Sequence, residues 1–100
     1  MCVWHLYILR TRHDTLYTGI ATDVPRRLQE HAADRNRGAK YLRAKSPLQL
    51  AYQIKLGDHG LALQAERRIK KLPKRDKEHI VTTGPAGPQL LAMLGIARTA

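Results

Sequence analysis

One hundred residues with 18 Lys/Arg against 8 Asp/Glu, a net charge of +10 and 43% hydrophobic content describe one small domain with a single core and little room for a second lobe. The two halves of the chain each hold nine basic and four acidic residues, so the charge is spread over the fold and favours a polyanionic partner, most simply nucleic acid. The lone cysteine, Cys2, excludes an internal disulfide and a thiolate metal centre and fits a reducing, cytoplasmic setting; no signal peptide is legible, and the apolar stretch Leu90 to Leu94 is too short to span a membrane.

In chain order, residues 3–10 are apolar and β-rich, Thr11 to Thr15 form a polar turn, and residues 16–21 resume the apolar pattern, which predicts a β-hairpin. Side chains alternate faces along a strand, so the length of the turn decides what can meet. A loop of Thr11 to Thr15 pairs Arg10 with Leu16, hence Tyr7 with Gly19 and Leu9 with Tyr17. Both tyrosines then share a face with Gly19, beside which open space is expected for a bulky ligand.

A helix follows, capped by Thr22 or Asp23, with Pro25 in its first turn and Val24, Leu28 and Ala32 as its apolar stripe. Arg27 and His31, four apart, point the same way beside that stripe. Asp34 to Ser46 is a basic loop or short helix carrying Arg35, Arg37, Lys40, Tyr41, Arg43 and Lys45. Leu48 to Leu56 alternates as a half-buried strand ended by Gly57.

Asp58 can cap a helix whose buried side is Leu61, Ala65, Ile69 and Leu72, with Glu66 at the margin. Pro73 breaks that helix and starts another through Ile80. Thr82 to Gly87 reads as a linker, and Pro88 to Leu94 as a short helix closed by Gly95. The sum is an α+β domain in the order ββαβαα, a small three-stranded antiparallel or mixed sheet flanked by helices. Residues 1–82 form its body, and 83–100 a linker and short helix within the same domain.

These segments resemble the GIY-YIG nuclease superfamily. His5-Leu6-Tyr7 stands where Gly-Ile-Tyr names the family, and Tyr17-Thr18-Gly19 is similar to Tyr-Ile-Gly. The helix from Asp23 to His31 resembles the family's arginine helix. Gly38 to Tyr41 and Ala65 to Lys70 are similar to its short, stand-alone bacterial branch, the YhbQ-like proteins. The resemblance covers roughly residues 3–80. It implies a GIY-YIG-like domain and a metal-dependent nuclease cutting DNA phosphodiesters, structure-selective in the absence of a targeting domain and linked to DNA repair or recombination. It also assigns Tyr7 and Tyr17 as paired tyrosines, Gly19 as the motif glycine, Arg27 and His31 as helix residues of the site, and Glu66 as ligand of Mg²⁺ or Mn²⁺. His5 departs from the motif glycine, and Glu78 lies near the place of an asparagine used by some repair members.

Phosphodiester hydrolysis needs an activated water, neutralised phosphate charge and a stabilised leaving oxygen. Arg27 would clamp a nonbridging oxygen. Tyr7 is the first choice for the base, with Tyr17 supporting, although a tyrosine with an ordinary pKa near 10 needs a neighbouring cation for that work. His31 would pass a proton or hold phosphate. On periodicity alone, the tyrosines are amphipathic core residues, His31 packs a helix, and Glu66 is an exposed i, i+4 partner of Lys70.

Arg26, Arg35, Arg37, Lys40, Arg43, Lys45, Lys70, Lys71 and Lys74 are expected to follow a nucleic-acid backbone, with Tyr41 stacking on an exposed base. DNA is the expected partner, RNA remains open, no membrane is involved, and a partner protein would supply target specificity. The competing readings are a noncatalytic nucleic-acid-binding module that keeps the fold, and an adaptor for a larger repair complex.

Overall fold

A computed structural model describes residues 2–33 and 48–96, without the side chains of 31–33. The elements are β1 (Trp4–Arg10), β2 (Leu16–Ala21), α1 (Val24–Ala33), β3 (Gln49–Gly57), α2 (His59–Lys70), α3 (Lys74–Thr83) and α4 (Gly87–Met93). The strands form one antiparallel sheet in the order β2-β1-β3, which puts the most apolar strand in the centre. Leu6, Tyr7, Ile8 and Leu9 are each 0–1% exposed, because both faces of β1 are covered.

The hairpin register is the expected one: Tyr7 opposite Gly19, Leu9 opposite Tyr17, Arg10 opposite Leu16. The Thr11 amide donates to the Thr15 carbonyl (2.9 Å) and the Asp14 amide to the Thr11 carbonyl (2.9 Å), while Asp14 takes a left-handed conformation at φ 62°. Against β3 the ladder is irregular between Ile8 and Leu9, which face Tyr52 and Leu50.

Strand alternation divides the core in two. Leu6 and Ile8 join Tyr52, Ala62, Ala65, Ile69, Ile80, Leu90 and Leu91 beneath one face. Tyr7, Leu9, Ala21 and Val24, with Tyr17 and Leu28 packed on them, form the smaller cluster on the other. Helices α2, α3 and α4 therefore serve one face and α1 the opposite one.

Local chemistry sets the helix ends. Asp23 Oδ1 accepts the Arg26 amide (3.1 Å), and Asp58 Oδ2 accepts the Leu61 amide (2.9 Å), each satisfying a first-turn donor. Pro73 separates α2 from α3 as expected, but α3 runs on to Thr83 and stops at Gly84, which is left-handed at φ 56°. The linker thus shrinks to 84–86. It is pinned by the buried Tyr52 hydroxyl, which donates to the Pro85 carbonyl (2.6 Å). Burial pushes the Tyr52 pKa up to about 12. Arg68 Nη1 donates to the Leu94 carbonyl (2.9 Å) and ties the end of α4 back to α2.

Candidate active site at the free edge of the sheet

The site forms where the two helical layers meet around β2, the edge strand. Tyr7 projects from β1 on the α1 side and is 1% exposed. Its ring lies across Gly19 on β2: a Cβ there would stand 2.5 Å from Tyr7 Cζ and collide with the hydroxyl. The open space expected beside Gly19 is therefore filled by Tyr7 itself. The missing side chain admits the tyrosine, and carries its hydroxyl out over the neighbouring strand.

Three further groups converge there. The Arg27 guanidinium, from α1, hydrogen-bonds the Tyr7 phenol oxygen, and Tyr17 and Glu66 act on Tyr7 through space. Glu66 comes from α2, under the opposite face of the sheet. One helix on each face can reach the same hydroxyl only around the free edge of β2. Burial is the largest influence on Tyr7 and raises its pKa above the ordinary tyrosine value; Arg27 opposes the rise, while Tyr17 and Glu66 add to it. The phenol therefore keeps its proton at neutral pH.

Glu66 has a side-chain exposure of 18% and forms an ion pair with Lys70 (3.3 Å), one turn on along α2. Lys70 Nζ also stands 6.0 Å from the centre of the Tyr17 ring. The ordinary helix pair read from periodicity is thus present, and it sits inside the site. Among the described residues no three of His, Cys, Asp and Glu gather as a metal cluster. Among the described residues, Glu66 offers one partly buried carboxylate with one flexible counter-ion, Lys70. That suits one hard divalent cation whose other positions are filled by water and phosphate oxygens.

Five of the expected residues, Tyr7, Tyr17, Gly19, Arg27 and Glu66, come together. His31 lies one turn after Arg27 on α1, and its side chain is outside the described residues, as are Arg35, Arg37, Lys40, Tyr41, Arg43 and Lys45. Arg26 and Lys71 are exposed. Lys74 is drawn elsewhere, to Asp14 (3.5 Å) and Glu78 (3.9 Å). Glu78, near the family's asparagine position, is held by both arms of the Arg10 guanidinium (2.6 and 2.8 Å) and pinned beside the hairpin turn.

Two features escaped the sequence. Arg10 and Glu78 are 68 residues apart, and no local pattern joins them. Trp4 opens β1, and His59 opens α2. Their rings are in tilted contact, with centres 4.3 Å apart and planes at 37°. Trp4 also walls a cleft of about 360 Å³ shared with α1.

The GIY-YIG catalytic domain, as a family description, matches residues 3–79. The chain belongs to the GIY-YIG nuclease superfamily. It is 52% identical over 91 residues to a UPF0213 protein of Klebsiella pneumoniae subsp. pneumoniae, a match covering 91% of this chain and 84% of that one. It is 49% identical over 94 residues to the UPF0213 protein YhbQ of Escherichia coli O8, covering 94% and 92%. The solution NMR structure of a UPF0213 protein from Bacillus halodurans is similar at a TM-score of 0.55 and 30% identity, covering 95% of this chain and 99% of that one. The superfamily implies nucleic-acid binding. Among the described residues no helix is long and apolar enough to cross a membrane.

Proposed function

We propose that this protein is a metal-dependent nuclease that hydrolyses DNA phosphodiester bonds, acts in the cytoplasm, selects its substrate by structure and serves DNA repair or recombination. The observation that carries the reading is the meeting of Tyr7, Arg27 and Glu66, from three elements, around a glycine that makes room for the tyrosine. A core tyrosine alone needs neither a guanidinium on its oxygen nor a carboxylate beside it.

In this reading Arg27 binds a nonbridging phosphate oxygen with permanent charge and directed donors. Glu66 would hold one Mg²⁺ or Mn²⁺ in place of its ion pair with Lys70. That cation, when bound, neutralises phosphate charge and adds positive charge near Tyr7. Tyr7 would first release its own proton to solvent under the influence of Arg27 and that added charge, and the phenolate would then accept the proton of the attacking water, with Tyr17 orienting that water from the same face. Lys70, released from Glu66, remains beside Tyr17 to meet a second phosphate oxygen. His31 is one turn from Arg27, where a proton relay or phosphate ligand would be useful.

The test is cleavage of labelled duplex, single-stranded, flap and branched DNA with Mg²⁺ or Mn²⁺, beside Glu66→Gln. The expected result is a cut lost by at least about a hundredfold in the variant, with binding retained. Cleavage that persists in the variant would displace Glu66. The Glu66–Lys70 ion pair supports one alternative, a nucleic-acid-binding module or adaptor that keeps the fold. That alternative predicts tight binding without cleavage on any substrate or with any partner protein.

A further inference from the structure

Beside the tyrosines, β2 and α1 enclose the cleft of about 360 Å³ noted above. Trp4 and Ile20 supply its apolar wall, Arg26 and Arg27 its cationic side, and Asp23 and Glu30 its carboxylates. Among the described residues of the lining, two guanidiniums face two carboxylates and their formal charges cancel. That balance disfavours a second phosphate and suits a neutral, flat group with hydrogen-bonding edges. The volume lies at the small end of ligand sites, which are typically about 300–1,000 Å³. Trp4 is half-buried and held by His59, so its ring is positioned before anything binds. Arg27 belongs to both places: it lines the cleft and hydrogen-bonds Tyr7.

We propose that this cleft is a subsite for an unpaired nucleobase, stacked against Trp4, whose own phosphate is the one held by Arg27. The proposal rests on the nuclease reading for the identity of that phosphate. A base inside an intact duplex is stacked on both sides and cannot enter a concave site. It must be single-stranded, in a flap, or turned out of the helix. The subsite therefore gives the protein a way to select structure with little sequence preference, because every base has a face to stack. The carboxylates add acceptors for the amino edges of adenine, cytosine or guanine.

Trp4 is the single tryptophan of the chain, so intrinsic fluorescence reports on its surroundings, which are this cleft and the pocket it shares with Gly57, Asp58 and His59. The experiment uses the full-length Glu66→Gln protein, to prevent turnover. Labelled oligothymidylate and a blunt duplex of equal length are titrated, reading oligonucleotide anisotropy and Trp4 emission together. The expected result is that emission tracks anisotropy for the single strand and changes little for the duplex. Trp4→Ala is expected to weaken single-strand binding by about 5- to 150-fold, and Trp4→Phe by much less. Saturated single-strand anisotropy with unchanged Trp4 emission overturns the subsite, as does equal quenching by duplex or no binding at all. The emission titration is repeated with Ile20→Arg, which alters the α1-side cleft and not the pocket beside His59; loss of the single-strand emission change in this variant is expected, and its persistence overturns the subsite even if Trp4→Ala fails to fold. Cleavage by the unmodified protein is scored separately. Quenching without cleavage removes the nuclease reading and keeps the subsite, and cleavage without quenching does the reverse.

Discussion

Two glutamates on neighbouring helices lie among basic residues at two places on the same sheet, and their surroundings differ. Glu78 accepts two hydrogen bonds from Arg10, which also holds Asp14 (2.7 Å), while Lys74 spans Asp14 and Glu78. Planar guanidinium against planar carboxylate is a closed, bidentate arrangement. Arg10 raises no question of proton transfer: its pKa is pushed higher, and those of Asp14 and Glu78 are pulled below the usual carboxylate range, by the hydrogen bonds among them. Glu66 has one lysine at 3.3 Å and two tyrosines nearby. Its counter-ion is a flexible point charge that can leave without breaking a fork. The first cluster braces the hairpin against α3. The second leaves a partly buried carboxylate with a counter-ion that is half exposed and free to turn. Charge alone would not separate them, but ligand geometry does.

The comparison is broken most severely at Gly19. Gly19→Ala puts a methyl group into the Tyr7 ring, so the tyrosine must leave or the strands must part. We expect at least a tenfold loss of cleavage rate and a stability loss of about 1–3 kcal/mol by urea denaturation, as for other overpacked sites. Normal cleavage by a stable Gly19→Ala protein would show that the position of the Tyr7 hydroxyl is irrelevant. The corresponding disruption at the other cluster, Glu78→Gln, is expected to leave the cleavage rate within about twofold of the parent, because Glu78 is bound to Arg10 and Lys74, away from Tyr7, Arg27 and Glu66.

The legible part of the molecule followed from parity and punctuation. Five residues from Thr11 to Thr15 fixed the register, and the register put Tyr7 against Gly19 and Tyr17 on their face. Asp58 and Pro73 marked helix boundaries, because a cap and a missing amide act locally. Gly19 was read in the wrong sense. Sequence shows that a side chain is missing, but not whether substrate or protein fills the gap. The Arg10–Glu78 pair and the Trp4–His59 contact depend on chain segments brought together by folding, so local periodicity carried no sign of them. At Glu66, periodicity found the Lys70 pair, which the structure shows, while the role of metal ligand came from the family resemblance alone.

Lys70 sharpens the comparison with a smaller effect. If Glu66 is held in reserve by a counter-ion that must move, removing the charge lets a divalent cation in more easily. Lys70→Met keeps the aliphatic packing and is expected to tighten Mn²⁺ binding by about three- to tenfold at low salt, measured by water-proton relaxation. Lys70→Arg should bind Mn²⁺ no more tightly than the parent. Cleavage by Lys70→Met at saturating metal separates the two contributions of the lysine: a fall means that the ammonium also serves the phosphate. Unchanged Mn²⁺ affinity would mean that Glu66 is not where the cation binds.

The smallest effect is a pH signature of the brace. Asp14 and Glu78 have folded-state pKa values below those of free carboxylates. Their contribution to stability is therefore complete above the unfolded values near pH 4, and is lost as the pH falls through the depressed folded values. Glu78→Gln should lower Tm slightly at pH 7. The two melting curves should converge towards pH 2, where the parent carboxyl is protonated and resembles the amide. A gap that stays constant from pH 7 to pH 2 would mean that Glu78 stabilises by packing and not by its charge. The contrast with Glu66 would then rest on the reserved carboxylate alone.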